Sequence, residues 1–167
     1  DPIEKGVSNF FSNLGEVNTI ANDILQLKFQ QAGQDSLRFL INSTIGVFGL
    51  FDVATPMGLS KNKEDFGQTL GFWGIPDGPY LVLPFLGPSS FRDVPGTIVD
   101  YEMSPVEQLH HEERQVLRII DIVDTRAKLL RATKILDTAA KDKYIFIRES
   151  YLQKRESLIR DGENEEE

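Results

Sequence analysis

The stretch GPYLVLPFLGPSSFRD, residues 78–93, places two glycines and three prolines around a strongly apolar run, Tyr80 to Leu86. Proline removes a backbone N–H donor and pushes the preceding residue out of helical conformations. We therefore predict an extended conformation for Tyr80 to Phe85 and minimal sheet content in the chain. Because backbone polar groups need hydrogen-bond partners, an irregular segment this apolar raises the question of what surrounds it.

These residues belong to a low-charge insert that runs from Phe39 to Phe91. The insert carries six of the 44 charged residues of the chain and nine of its 16 aromatic residues. One interpretation is a buried core, and the other is an exposed apolar surface that meets lipid or another protein. The residues alone leave both interpretations open.

Both flanks of the insert show apolar residues at helical spacing. The chain also opens with a helix-start pattern, in which Pro2 stands in the first turn and Glu4 follows three residues after Asp1. The predicted helices cover residues 1–13, 16–33, 36–48, 64–72, 89–101, 106–130 (as one helix or two) and 141–160. We predict a mainly α, single domain over residues 1–162, followed by an acidic disordered tail at 163–167.

Composition excludes several classes of function. The formal net charge of -8 argues against nucleic-acid binding, which depends on Lys and Arg neutralising phosphates. The absence of cysteine excludes disulfides, thiolate catalysis and Cys-based zinc sites. No run of 18 apolar residues and no signal peptide occurs, so we expect a soluble or peripheral body.

No residue pattern indicates catalysis. Ser89 and Ser90 lack the flanking glycines of a nucleophile elbow, so helix capping is the favoured interpretation. His110 and His111 are adjacent on a charged segment and would point to different faces of one helix. Gly67 and Gly71 form a GxxxG spacing, which we attribute to chance in a glycine-rich insert. We predict no enzyme activity, no metal site and no cofactor.

The chain resembles the MlaA family, also called VacJ, of Gram-negative outer-membrane lipoproteins in three segments. They are FLINSTIGVFGLFDVA (39–54), EDFGQTLGFWGIPDGPYLVLPFLGPSSFRD (64–93) and IDIVDTRAKLL (120–130). Members of this family normally begin with a signal peptide and a lipidated cysteine, and neither occurs in this chain. The full-length protein is therefore expected to be lipid-anchored at the periplasmic face of the outer membrane.

This resemblance implies a helical, ring-like body that contains the irregular apolar insert and sits in the outer membrane. It also implies a component of a phospholipid transport system that maintains lipid asymmetry. Such a protein would pass phospholipid from the outer leaflet through an amphipathic passage to the periplasmic carrier MlaC, beside a trimeric porin. The alternative is an envelope protein-binding module that docks onto a porin without conducting lipid, and a lipid hydrolase ranks third.

The resemblance also suggests candidate site residues. Polar residues within apolar sequence are candidates for the passage lining, with the alternative that they satisfy buried backbone groups: Asn42, Thr44, Gln68 and Thr69. Candidates for membrane-facing residues are Phe48, Phe51, Trp73, Tyr80, Leu83 and Phe85.

Other positions coincide with the family pattern. Those expected to shape the backbone are Gly46, Gly49, Gly67, Gly71, Gly78, Pro79, Pro84, Gly87 and Pro88. The polar ones are Asp52, Ser89, Arg92 and Asp93. For Arg92 and Asp93, a local charge pair is the favoured interpretation over contact with a lipid head group.

Overall fold

A computed structural model describes residues 2–139 and 142–161. Six helices and one two-stranded sheet occupy this part of the chain, which confirms the mainly α fold. The helices are α1 (Pro2–Leu25), α2 (Phe29–Thr44), α3 (Phe66–Phe72), α4 (Asp93–Met103), α5 (His111–Ala139) and α6 (Lys143–Ile159), and the strands are β1 (Tyr80–Leu83) and β2 (Gly87–Ser90). The predicted acidic tail at 163–167 lies outside the described residues.

The first helices differ from the prediction. The segments predicted separately at 1–13 and 16–33 form one helix up to Leu25, and Gly33, expected as a stop, lies inside α2. A Cβ at Gly15 or Gly33 would have open space around it, so neither glycine interrupts its helix. The chain instead turns at Leu27, whose φ is 62°.

The opening stretch forms a β-hairpin, so the predicted extended conformation is confirmed for Tyr80–Leu83 and wrong for Pro84 and Phe85, which lie in the turn. Strands β1 and β2 pair in antiparallel fashion, with Tyr80 opposite Ser90 and Leu83 opposite Gly87. Phe85 stands at the tip with a φ of 65°. After the hairpin the helix begins at Asp93 rather than at Ser89, and the hydroxyl of Ser90 accepts a hydrogen bond from the Asp93 backbone N–H at 3.1 Å. The capping interpretation therefore fits Ser90.

Helices α1 and α2 turn their polar faces towards each other. The buried residues of α1 are Asn13, Glu16, Thr19, Asn22 and Asp23, and those of α2 are Ala32, Asp35, Arg38 and Asn42. Large apolar side chains of the same helices, such as Ile24, Leu37 and Leu40, are exposed. The helical period of the sequence is thus present, with the apolar stripe outside.

Polar contacts join these two helices. The amide of Asn13 donates a hydrogen bond to the Ser43 hydroxyl at 2.9 Å, and Arg38 pairs with Glu16 at 3.6 Å. Arg38 also donates to Thr55 at 3.1 Å. A charge or amide buried among apolar atoms would cost several kcal/mol, so such groups persist inside a protein only when other polar groups satisfy them.

Polar residues inside and apolar residues outside are found over the whole described part of the chain. There, the buried hydrophobic residues are Ala32 and Ala54, whereas eighteen polar or charged residues are buried and thirty large hydrophobic residues are exposed. An ordinary water-soluble domain has the opposite distribution. None of the described helices combines the length and the apolar character that crossing a bilayer requires.

Close backbone packing joins α3 to α4. A Cβ on Gly96 would lie 2.6 Å from the Gly67 nitrogen and 2.8 Å from its Cα. A Cβ on Gly71 would lie 2.5 Å from the Cδ1 of Ile159 on α6. The Gly67–Gly71 spacing, attributed to chance from the sequence alone, therefore coincides with close contacts, since a Cβ on Gly67 would also lie 2.5 Å from the Asp93 carboxylate.

We expect Gly96→Ala to lower the free energy of unfolding by about 1–3 kcal/mol, the usual cost of overpacking against atoms that cannot move aside. Gly33→Ala is the matched control, because it adds the same methyl group to a helix position with open space. It should stabilise the protein by about 0.4–1 kcal/mol. Urea unfolding in mild detergent measures both, and equal effects of the two substitutions would contradict the packing described here.

Two buried carboxyl groups face each other between α1 and α2. Asp23 and Asp35 are both fully buried, and Asp35 accepts a hydrogen bond from Asn62 at 3.0 Å. Burial and the charge of Asp35 raise the pKa of Asp23 well above its usual range. Asp23 is therefore protonated in the folded state over a pH range in which it is ionised in the unfolded chain.

The folded protein consequently binds more protons than the unfolded chain between about pH 4 and the raised pKa of Asp23, so its stability falls as the pH rises through that window. We expect Asp23→Asn, which resembles the protonated acid, to match the wild type near pH 4 and to be more stable than it at pH 9, by at least about 1 kcal/mol. Chemical denaturation at several pH values measures this. Glu102→Gln, on the exposed side of α4, should leave the pH dependence unchanged. Parallel wild-type and Asp23→Asn curves would refute the raised pKa of Asp23.

Candidate functional site

A cavity of about 410 Å³ opens between α1, the hairpin, α4, α5 and α6. This volume lies within the range of about 300–1,000 Å³ that is common for small-molecule sites. Its apolar lining comes from α1, the hairpin and the segment from 106 to 117: Phe11, Leu14, Leu83, Leu86, Pro88, Val106 and Leu117. Its polar lining includes Asn18, Asp65, Ser89, Asp93, Thr97, Asp100, Ser104, Glu107, Arg118, Asp121, Tyr151 and Arg155.

Arg155 joins three elements on the polar side of the cavity. Its guanidinium donates two hydrogen bonds to Asp65, at 2.6 and 2.8 Å, and one to Asp93 at 2.9 Å. Asp65 caps the N-terminus of α3, and Asp93 opens α4. Tyr151, one turn before Arg155 on α6, donates its hydroxyl to Asp93. These contacts attach α6 to the N-terminal ends of two other helices.

Neighbouring hydrogen bonds and charges determine the protonation states of the acidic side chains beside Arg155. Burial opposes ionisation of Asp65 and Asp93, but hydrogen bonds and the positive charge of Arg155 outweigh it and hold the pKa of both carboxyl groups below their usual range. Burial and the hydrogen bond to Asp93 raise the pKa of Tyr151, so its hydroxyl remains a donor. Asp100 lacks such a cation, and burial raises its pKa to about 6.

Tyr80 fixes the hairpin against α6. Its ring lies edge to face with those of Tyr144 and Tyr151, with centroids 5.9 Å apart in each case. Aromatic pairs in this geometry contribute about 0.5–1.5 kcal/mol beyond the area they bury. The hairpin thereby forms a fixed wall of the cavity, which answers the question of what one face of the apolar stretch contacts.

The site offers no recognisable metal centre. Over residues 2–139 and 142–161, no group of three or more His, Asp or Glu side chains is arranged to hold a metal ion. The predicted helix capping by Ser90 also leaves that hydroxyl engaged with the backbone. The cavity therefore combines an apolar wall with a polar one, an arrangement suited to holding an amphipathic molecule.

Comparisons with known proteins assign the chain to a family. The family model described as MlaA lipoprotein matches residues 1–158. The chain belongs to the MlaA lipoprotein family. A solved structure described as "Structural basis for maintenance of bacterial outer membrane lipid asymmetry" is similar to this fold, with a TM-score of 0.77 and 31% sequence identity. That similarity covers 95% of this chain and 80% of the other.

Curated MlaA relatives show the same similarity in sequence. The intermembrane phospholipid transport system lipoprotein MlaA of Escherichia coli is 33% identical over 97% of this chain and 65% of its own length. An uncharacterized protein of Rickettsia prowazekii is 34% identical over 98% of this chain and 66% of its own length. The chain thus spans about two thirds of the length of these relatives.

The four predicted lining residues lie outside the set that lines this cavity within the described chain. Asn42 accepts hydrogen bonds from the backbone N–H groups of Val53 and Ala54, at 2.8 and 3.0 Å. Gln68 and Thr69 are fully buried, and the Thr69 hydroxyl donates to Asn22 at 2.7 Å. Thr44 is exposed, and its hydroxyl donates to the Leu40 carbonyl at 2.6 Å. That these four line a lipid passage stays a prediction.

The predicted membrane-facing residues divide into two groups. Phe48, Phe51, Trp73 and Phe85 are exposed, with 77% of Phe48 and 72% of Phe85 accessible. The buried-core interpretation of the insert is therefore wrong for these four side chains. Tyr80 and Leu83 are half-buried, and Leu83 lines the cavity. That these four exposed side chains face a membrane stays a prediction.

The family-pattern glycines and prolines mostly lie in turns or close contacts. Gly49 has a φ of 86°, and a Cβ there would lie 2.5 Å from the Asn13 side chain. A Cβ on Gly46 would collide with the carbonyl oxygens of Asn42 and Phe51. The remaining ones, Gly78, Pro79, Pro84, Gly87 and Pro88, surround or belong to the hairpin.

The family-pattern polar residues have local partners. Asp52 accepts from the Thr55 backbone at 3.1 Å and pairs with Arg38 at 3.4 Å. Arg92 pairs with Asp93 at 3.1 Å and with Asp77, so its guanidinium is engaged by carboxylates. Ser89 is buried on the cavity wall.

Sequence reasoning missed the residues that determine the charge of the cavity, Arg155, Asp65, Asp100 and Asp121. One signal was present, because Arg155 follows Tyr151 by one helical turn and shares its face. The apolar positions identify this segment as a helix, and an arginine on an amphipathic helix normally faces solvent, as Arg148 of the same helix does. Only the contact with Asp65 and Asp93 reveals its role.

We expect Arg155→Met to lower the free energy of unfolding by about 3–5 kcal/mol, because it breaks the ion-paired group that joins α6 to α3 and α4 and leaves Asp65 without a cationic partner among the described residues. Arg148→Met on the exposed side of the same helix should change it by less than about 0.5 kcal/mol. Adding Asp65→Asn to Arg155→Met should recover part of the loss, since it removes the carboxylate that has lost its counter-charge while asparagine can still cap α3. Urea unfolding measures all three, and a double variant no more stable than Arg155→Met would contradict this account.

Proposed function

We propose that this protein is the envelope lipoprotein of a phospholipid transport system and that its cavity forms part of an amphipathic lipid passage. In this proposal it lies in the outer membrane of a Gram-negative cell beside a trimeric porin. It takes phospholipid from the outer leaflet and delivers it to the periplasmic carrier MlaC, without making or breaking a bond. Family membership and the role of the Escherichia coli relative in intermembrane phospholipid transport support the assignment.

The observation that carries the proposal is the exposed apolar surface around a polar interior. Moving a large apolar side chain fully out of water is worth about 1.5–3 kcal/mol. Ten half-exposed side chains in water would therefore forgo roughly 10 kcal/mol, which is comparable to the whole stability of a typical domain. Thirty large hydrophobic residues are exposed in the described chain, so hydrocarbon surroundings are the environment that suits this surface.

The cavity supplies the second half of the argument. Lipid transfer requires a polar route for the head group while the acyl chains remain among apolar atoms. The head group can contact polar atoms of Asn18, Asp100 and Arg118. The acyl chains can contact the apolar side chains of Leu14 and Leu83. Both kinds of lining occur on the same cavity.

Gly15 allows a sharp test, because it lines the cavity and a Cβ there would meet nothing within 4 Å. We expect Gly15→Trp to place its ring in the cavity, because its Cβ has open space around it. In protein expressed from the complete gene, it should reduce co-purifying phospholipid and should fail to restore lipid asymmetry to a strain that lacks its own family member. Gly33→Trp is the matched control, since Gly33 also lies in a helix with open space but outside this cavity lining.

The outcomes separate the candidate functions. Loss of transport with Gly15→Trp but not with Gly33→Trp supports the passage. Full transport by a folded Gly15→Trp protein would refute a passage through this cavity. If substitutions of the exposed Phe48 and Phe85 then abolished function, a module that docks onto a porin would be the better account.

A further inference from the structure

Three lysines lie beside the polar side of the cavity. Lys61 and Lys63 belong to the loop that precedes α3, and Lys154 lies on α6. Hydrogen bonds from Arg155 to Asp65, at 2.6 and 2.8 Å, hold this loop against α6, and both of these residues line the cavity. Because Lys154 directly precedes Arg155 and Lys63 stands two residues before Asp65, the lysines border the cavity lining.

These lysines have no acidic partner among residues 2–139 and 142–161. Lys61 donates a hydrogen bond to the Ser12 hydroxyl, which is neutral and leaves the charge of the lysine uncompensated. Lys63 and Lys154 take part in no side-chain hydrogen bond or ion pair within the same residues. The chain carries 26 acidic residues against 18 basic ones. Lysines that share one place without a carboxylate therefore indicate that an anion from outside the chain completes the group.

Lys63 occupies a recess in the surface. It is exposed, yet desolvation by the surrounding protein is the largest cause that lowers its pKa. A side chain that meets both conditions lies where the surface is concave. The Asp65 carboxylate opposes this lowering of the pKa, but it is itself engaged by Arg155, and the charges of Lys154 and Lys61 lower the pKa further. Like charges gathered in a recess repel one another, so a bound anion would relieve that repulsion.

A fourth lysine shows that the group and the cavity lie within electrostatic range of each other. Lys128 of α5 pairs with Asp124 at 2.5 Å, so it has its own carboxylate. Its charge lowers the pKa of Lys63, and it also opposes the rise that burial causes in the pKa of Asp121 on the cavity lining. One ligand can therefore contact the unpaired lysines and the cavity together.

We propose that Lys61, Lys63 and Lys154 bind the phosphate group of a phospholipid at the border of the cavity. This inference rests on the proposed function, because it names residues that hold the head group of the lipid that the cavity takes. A phosphodiester is an anion with oxygen acceptors, and each lysine ammonium supplies one positive charge and three N–H donors. The apolar side chains of Leu14 and Leu83 lie on the adjoining cavity and can receive the acyl chains.

The test uses protein expressed from the complete gene, purified in non-ionic detergent and titrated by calorimetry with three probes. They are dihexanoylphosphatidylglycerol, dihexanoylglycerol, which has the same chains without the phosphate, and inorganic phosphate. We expect the wild type to bind the phospholipid at least about tenfold more tightly than dihexanoylglycerol, because hydrogen bonds to a charged group are lost with the phosphate. Raising the salt concentration from about 0.05 to about 0.5 M should weaken only the binding of the phospholipid, since salt screens exposed charges.

Substitution of Lys63 tests the residues themselves. Lys63→Gln should lower the phospholipid affinity by about threefold to tenfold and leave the dihexanoylglycerol affinity unchanged. Lys63→Arg keeps the positive charge and should retain most of the wild-type affinity. Arg148→Gln is the matched control, because it removes one positive charge from an exposed position of α6 outside the cavity lining, and it should bind as the wild type does.

The remaining outcomes are equally distinct. Inorganic phosphate that binds far more weakly than the phospholipid, and not at all to Lys63→Gln, supports a lipid head group, whereas equal affinities would overturn the lipid in favour of free phosphate. Equal affinities for the two lipids, or a double Lys63→Gln and Lys154→Gln variant with the wild-type affinity, overturn this inference while leaving lipid binding intact. A wild type that binds neither lipid instead refutes the proposed function itself.

Discussion

Pairing of buried polar groups is the constraint on which this structure depends. Helices α1 and α2 meet through amides, carboxyl groups and the Arg38 guanidinium, and α6 is attached to α3 and α4 through Arg155. In a water-soluble domain the burial of apolar side chains supplies most of the driving force for such contacts. Here much of the apolar surface faces outward, so the interior must be held by directional contacts that fail if one partner is removed.

The same constraint explains the sequence of the insert. Its aromatic residues lie on the outside, at Phe48, Phe51, Trp73 and Phe85, while its glycines permit helices and turns to approach closely. Gly96 against Gly67 brings α4 onto α3, which places Asp93 within reach of Arg155. The cavity thus exists because small residues allow close packing and because an ion-paired group holds the adjacent helix ends in place.

The charged side chains of the lining make one side of the cavity polar. Carboxyl groups that have cationic partners, Asp65 and Asp93, serve the structure. Asp100 accepts hydrogen bonds from the Phe66 backbone N–H and from Asn22, and Asp121 adds a further carboxyl group to the lining. An apolar wall from the hairpin faces them, so one molecule can contact both kinds of surface only if it is amphipathic. Membership of the MlaA family and the exposed apolar surface both favour a phospholipid as that molecule.

Local features of the sequence determined the helical periods, the extended hairpin imposed by Pro79, Pro84 and Pro88, and the resemblance to the family. The tertiary structure alone decided which face of each helix lies inside, because an amphipathic period is the same whether its apolar stripe meets a core or a membrane. It also decided that Asn18, Asp100, Asp121 and Arg155 share one cavity. Residues so far apart in the chain meet only through packing of whole helices, and no local pattern records that contact.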